Sequence, residues 1–186
     1  MIKKHYYNWT DIERMCVNIV NQMYTDNWRP DYIVGLTRGG NVPATIISNM
    51  TGIRCEALKV SLRDDEGEGP ESNCWMAEDA FGYVPEEERA NTKSRWDISK
   101  RKNILIVDDI NDTGATFNWI VQDWPSGCLP NEESWQTVWN NNVRFATITD
   151  NLSSDFNGTV DYSVHEVNKA EQDVWLVYPW ENVGEY

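Results

Sequence analysis

The stretch Ile104-Leu105-Ile106-Val107-Asp108-Asp109-Ile110-Asn111-Asp112-Thr113-Gly114-Ala115-Thr116 decides how this chain is read. Its four branched apolar residues, Ile104 to Val107, make a short buried strand, because the run is too short and too branched for a helix. Asp108 and Asp109 stand where that strand should end. Asp112 then leads into Thr113-Gly114-Ala115-Thr116 and a helical run to Asp123. A strand, a tight turn and a helix N-terminus form an anion cradle, since the first N–H groups of a helix have no partner within it. Gly114 keeps side-chain bulk out of the cradle, and Thr113 and Thr116 can add hydroxyl donors. Carboxylates repel phosphate, so acids beside such a cradle need a reason. A P-loop follows its glycine with Lys and Ser/Thr. No Lys follows Gly114, and binding of a nucleoside triphosphate by that motif is not expected. The acids make sense if the ligand also presents a sugar diol or a hard divalent cation, whose waters carboxylates can hold. The residues alone also allow an αβ turn with acidic caps.

Strands and helices alternate on either side of this stretch. The patterning predicts a helix from Trp9 or Thr10 to about Asn27, with a capping box from Thr10 to Glu13. It predicts strands over Asp31–Leu36, Cys55–Leu62, Asn103–Asp108, Val143–Thr149, Val160–Val164 and Val174–Val177. Helices are expected over Asn41–Met50, with Pro43 in the first turn, and over Thr113–Asp123. This order implies an α/β fold: a mostly parallel, twisted sheet with helices on both faces, formed by a single domain over residues 1–186. Ligands of such sheets bind outside the carboxyl ends of the strands, where the Asp108–Thr116 turn must lie. The first of these strands ends in a second anion nest, Thr37-Arg38-Gly39-Gly40, in which Arg38 offers a fork of donors suited to phosphate oxygens.

Composition narrows the function. The 186 residues carry 30 acids against 16 bases, a net charge of −14. This argues against a general nucleic-acid surface and against an anionic membrane. No run approaches the length of a membrane helix, and Met1 to Asn8 has no signal-peptide core, so the cytoplasm is the expected compartment. Cys16, Cys55, Cys74 and Cys128 form no CxxC pair and read as reduced thiols. The ten tryptophans are expected in the core or facing a partner.

Val107 to Thr116 resembles the phosphoribosyl pyrophosphate (PRPP) signature of the type I phosphoribosyltransferases. The segments Trp28 to Gly40 with Val42-Pro43-Ala44, and Asp173 to Glu181 with its Tyr178-Pro179-Trp180-Glu181, are similar to those of xanthine-guanine and related purine phosphoribosyltransferases. The resemblance implies the fold of that family, with a hood over residues 150–186, and Mg²⁺-dependent transfer of phosphoribose from PRPP to a nucleobase, a purine first. A pyrimidine or other heterocycle as acceptor, and a non-catalytic sensor of PRPP or nucleotide, are the competing readings. It implies PRPP binding by Thr37, Arg38, Gly39, Gly40, Asp108, Asp109, Asp112, Thr113, Gly114, Ala115 and Thr116. It implies metal binding by Asp108, Asp109 and Glu181, and base binding by Trp175, Leu176 and Asn151. Asp112 is expected to take the proton of the incoming base, and Arg38 to neutralise the departing pyrophosphate. A non-proline cis peptide is expected at Thr37–Arg38, and a homodimer or higher homo-oligomer follows from the resemblance alone.

The chain departs from the family in three places. Purine-specific relatives carry a lysine just past the strand ending at Thr149, where it meets the 6-oxo group; here Asp150 and Asn151 follow instead. Residues 63–101 are long for a catalytic loop and are expected to form an extended lid, with Lys93, Arg95, Lys100 and Arg101 reaching the pyrophosphate. Residues 124–142, with Pro125, Gly127 and Pro130, are expected to be a surface insertion.

Overall fold

The computed structural model describes residues 2–60, 74–89, 94–128 and 132–181. Along the chain run β1 (Lys3–Tyr6), α1 (Trp9–Thr25), β2 (Tyr32–Thr37), α2 (Asn41–Thr51), β3 (Cys55–Lys59) and α3 (Cys74–Phe81). They are followed by β4 (Ile104–Asn111), α4 (Ala115–Cys128), α5 (Glu132–Trp135), β5 (Val143–Asn151), β6 (Tyr162–Val167) and β7 (Val174–Val177). Five strands form one sheet in the order β3-β2-β4-β5-β6, every pair parallel. The strand order reverses between β2 and β4, and such a switch point is where open α/β sheets bind their ligands.

Side-chain alternation explains why both faces are covered. Tyr32, Val34 and Leu36 of β2, with Ile104 and Ile106 of β4, point to one face and pack with α3 and α4. Ile33, Leu105 and Val107 point to the other and pack with α1 and α2. In α1, Ile12, Cys16, Ile19 and Met23 recur every three or four residues and are buried.

Several boundaries differ from the sequence reading. The N-cap of α1 is Asn8: its side chain accepts from Asp11 N–H and the Asp11 carboxylate accepts from Asn8 N–H, both at 2.8 Å. The capping box therefore sits two residues before Thr10 and Glu13, because the buried Tyr7 donates its N–H to Val177 O and fixes where the chain leaves β1. Strands β4 and β5 run on to Asn111 and Asn151, beyond Asp108 and Thr149, and β6 spans Tyr162–Val167. The last strand does not join the main sheet. It pairs in parallel with β1, a strand the sequence reading did not contain, so both ends of the chain build the hood.

The described residues of the stretch 124–142 do not form a surface insertion. Helix α4 continues through Trp124 and Pro125 to Cys128, and Trp124, Trp135 and Val138 are buried in the core. Proline, glycine and asparagine suggested a loop there, but the indole rings decided the outcome, with Trp139 stacked on Trp135 at 5.4 Å. The lid also needs correction. Residues 61–73 and Lys93 lie outside the described residues, but α3 buries Met76, Ala77, Ala80 and Phe81 against the sheet. Lys100 pairs with Glu88 at 3.1 Å, and Arg101 donates to Phe81 O at 3.1 Å and to Thr137 Oγ1 at 2.8 Å. These two bases are spent on the scaffold. Among the described residues, no helix is long and apolar enough to cross a membrane.

Candidate active site

A cavity of about 730 Å³ opens at the carboxyl ends of β2 and β4. Thr37, Arg38 and Gly39 line one side, from the turn between β2 and α2. The Thr37–Arg38 peptide is cis, as the resemblance implied. Gly40, the N-cap of α2, is not among the lining residues: it lies against Val107 O and the Cα of Asp108, where a Cβ would come within 2.5 Å and 2.7 Å of those atoms.

Asp108 to Thr116 line the floor without a gap. Asp109 N–H donates to Asp108 Oδ1 and Ile110 N–H to Asp109 Oδ1, each at 2.9 Å. Burial pushes both carboxyls above the ordinary carboxylate range, and the charge of Asp109 adds to the rise at Asp108. The following turn opens α4. Gly114 has φ +87°, and a Cβ there would meet Phe156 N at 2.3 Å, so the position requires glycine. Thr113 Oγ1 accepts from Ala115 N–H at 3.3 Å at the entry to α4. The loop between β5 and β6 holds this turn from behind: Asp155 N–H donates to Thr113 O at 2.9 Å, and Asn118 Nδ2 to Asp155 O at 2.8 Å.

The hood supplies the remaining wall. Trp175 and Leu176 of β7, with Tyr178 and Glu181 just beyond it, line the cavity. Trp175 is 56% exposed and Leu176 is buried, so the indole is available to a ligand while Leu176 anchors the strand. Tyr178 OH donates to Asp109 O at 3.2 Å and meets Thr149 Oγ1 at 2.9 Å, tying hood to floor. Glu181 accepts from Tyr178 N–H at 3.2 Å, and burial raises its carboxyl, with Asp109 adding to the rise. Among the described residues, no three His, Cys, Asp or Glu side chains form a ready-made metal cage.

Asn151 is not a base contact. It is 5% exposed, absent from the cavity wall, and spends its amide on the main chain of Asp112 and Lys169. The sequence reading also missed residues. Tyr178, Lys59, Val60 and Lys169 line the cavity, and Lys169 Nζ lies 2.8 Å from Asp112 Oδ1. Tyr178 stood inside the hood motif and could have been singled out; no local signal marks Lys169.

This geometry can be set beside known proteins. A model of the phosphoribosyl transferase domain matches residues 3–172. The hypoxanthine-guanine phosphoribosyltransferase of Schizosaccharomyces pombe is 24% identical over 95% of this chain and 88% of its own. The xanthine phosphoribosyltransferase 1 of Saccharomyces cerevisiae is 24% identical over 96% of this chain and 90% of its own. The crystal structure of a purine phosphoribosyltransferase from Pyrococcus horikoshii superposes with a TM-score of 0.62 at 19% identity, covering 97% of this chain and 96% of that one. With two glycine-containing turns and an acidic pair meeting at the sheet's switch point, and with a family model spanning nearly its whole length, this chain belongs to the phosphoribosyl transferase family.

Proposed function

We propose that the protein transfers the 5-phosphoribosyl group of PRPP to a nucleobase, a purine, giving a nucleoside 5′-monophosphate and pyrophosphate. One observation carries this reading: the Thr37–Gly39 turn, the Asp108–Thr116 turn and the hood residues Trp175 and Glu181 line one cavity. The names of the relatives, hypoxanthine-guanine and xanthine phosphoribosyltransferases, support the purine.

The groups divide by charge. The N–H groups and hydroxyls of Thr113 to Thr116 suit the 5′-phosphate at the start of α4. Asp108 and Asp109 suit the ribose hydroxyls, because carboxylates accept hydrogen bonds from a diol. Arg38 and Gly39 suit the pyrophosphate. Asp109, Asp108 and Glu181 would hold Mg²⁺. A partial set of carboxylates fits that ion, which completes its shell from substrate phosphates and water rather than from a protein cage. Bound there, Mg²⁺ supplies charge neutralisation for the leaving group. Loss of pyrophosphate leaves positive character on C1 of the ribose, and the carboxylates of the floor stabilise it. Asp112 lines the cavity beside Lys169 and takes the proton of the attacking base, while Trp175 stacks on that base. A homodimer belongs to the same reading, and sedimentation velocity reads it.

The test is turnover of PRPP and Mg²⁺ with a panel of purines and pyrimidines, with nucleoside monophosphates detected by mass. Monophosphate from a purine supports the proposal. Monophosphate from uracil or orotate alone removes the purine, and PRPP binding without any product replaces the enzyme with a sensor.

A further inference from the structure

We propose that His165 is a positioning residue: as its Nδ1–H tautomer it supplies the proton that completes a hydroxyl chain through Tyr7, Thr149 and Tyr178 to the main chain of Asp109, and so holds the hood on the floor of the cavity. The inference rests on the phosphoribosyl-transfer reading and deepens it.

The chain consists of four contacts. His165 Nδ1 is hydrogen-bonded to Tyr7 OH. Tyr7 OH meets Thr149 Oγ1 at 2.9 Å, Thr149 Oγ1 meets Tyr178 OH at 2.9 Å, and Tyr178 OH meets Asp109 O at 3.2 Å. Separate elements bring these groups together. Thr149 and His165 stand opposite each other in the register of β5 and β6. Tyr7 follows β1 and Tyr178 follows β7, the two strands of the hood. The rings of Tyr7 and Tyr178 stack at 5.0 Å, and Tyr178 stacks in turn on Trp180 at 4.9 Å, which fixes where the two hydroxyls point.

Counting protons gives the chain a direction. A carbonyl oxygen only accepts, so Tyr178 OH donates to Asp109 O. A hydroxyl has one proton, so Tyr178 must accept from Thr149, and Thr149 from Tyr7. Tyr7 has then spent its own proton, and its contact with His165 is a hydrogen bond only if Nδ1 carries the hydrogen. Tyr7, Thr149 and Tyr178 are buried, so water does not replace a missing proton, and two buried acceptors face to face are costly. Burial, and then the charge of His5, lowers the His165 pKa, so near neutral pH the ring is uncharged and has one N–H to place. The hydroxyl chain places it on Nδ1.

The far end of the chain bears on the reaction. It fastens Tyr178, which stands in sequence between Trp175 and Glu181, to Asp109, and these four residues line the cavity. His165 is not among the lining residues and acts through the others. The separation of Trp175 from the floor, which is the slot for the base, is thereby set from outside the cavity.

The experiment has two readouts. Long-range proton–nitrogen NMR on the protein labelled with ¹⁵N-histidine, above neutral pH, reads the tautomer; His5 is the only other histidine, and His165→Asn identifies the signals by removing one set. Wild type should show His165 with its hydrogen on Nδ1, and Tyr7→Phe should release it toward Nε2. Kinetics with PRPP, Mg²⁺ and hypoxanthine compare His165→Leu with His165→Asn, whose amide can donate from the place of Nδ1–H. For His165→Leu, KM for the base should rise roughly 3- to 10-fold, the worth of one neutral hydrogen bond, with kcat little changed. His165→Asn should recover most of that loss, and thermal melts check that both variants fold. A wild-type ring with its hydrogen on Nε2 overturns the proposal, whatever the variants do. So does a His165→Leu enzyme with unchanged KM, or a His165→Asn enzyme as impaired as His165→Leu. A wild type that makes no nucleotide from any base overturns the phosphoribosyl-transfer reading, whereas the tautomer is read without turnover and decides the hydroxyl chain separately.

Discussion

Gly39 and Asp109 touch across the switch point of the sheet: a Cβ on Gly39 would lie 2.0 Å from Asp109 Oδ2 and 2.6 Å from its Cγ. The turn after β2 and the carboxyl end of β4 therefore share a wall, and that wall is a carboxylate laid on bare backbone. Gly39→Ala pushes the end of a side chain aside, whereas Gly40→Ala collides with Val107 O, a backbone atom. We expect Gly39→Ala to weaken PRPP binding about tenfold or more by misplacing Asp109, with little change in melting temperature. We expect Gly40→Ala to destabilise the fold by roughly 1–3 kcal/mol through overpacking. Calorimetry and thermal melts on the two variants separate these effects; equal melting behaviour would contradict the distinction.

Asp112 is assigned the proton transfer. Asp112→Asn keeps a group of the same shape beside Lys169 but removes the base. Turnover should fall on the order of 10²–10⁴-fold, with PRPP affinity little changed. Equal losses in both would place Asp112 with the PRPP contacts instead.

Trp175 is exposed on β7 and faces the cavity. Trp175→Ala should leave the melting temperature and PRPP binding in place while weakening the base by about 1–3 kcal/mol, the worth of one stacked base. A lower melting temperature with undiminished base affinity would assign the indole to packing.

His165 gives the hood a pH dependence. Its Nδ1 is hydrogen-bonded to Tyr7 OH, which also meets Thr149 Oγ1 at 2.9 Å, and the ring of His5 lies 5.1 Å away. Burial, and then the charge of His5, lowers the His165 pKa below the ordinary histidine value. A lowered histidine favours the fold above the unfolded pKa of about 6.5, and that stability is lost as pH falls through the folded value. Melting temperature should therefore drop on acidification more steeply in wild type than in His165→Asn. Parallel curves would show that His165 does not titrate on unfolding.

Much of this protein was legible as sequence. The alternation of branched apolar runs with helical patterning foretold a parallel sheet, because periodicity of two or 3.6 residues is a property of each segment alone. The two turns that line the cavity were legible for the same reason: Thr37 to Gly39 and Asp108 to Thr116 are each continuous in sequence. Trp124 and Trp135 misled, since the turn-forming residues around them carry local propensity while their burial depends on which elements cover them.

The partnerships across the chain were decided only by folding. β1 and β7 pair over a separation of some 170 residues, Lys3 with Val174, and no local pattern marks two four-residue strands as partners. Lys169 is the sharper case. Asn151 and Val167 stand opposite each other in the register of β5 and β6. The chain leaving β6 therefore passes beside the end of β5 and delivers Lys169 to the cavity wall. Sequence proximity determined the floor of the site; strand register, which joins residues by hydrogen bonds across the sheet, determined what stands over it.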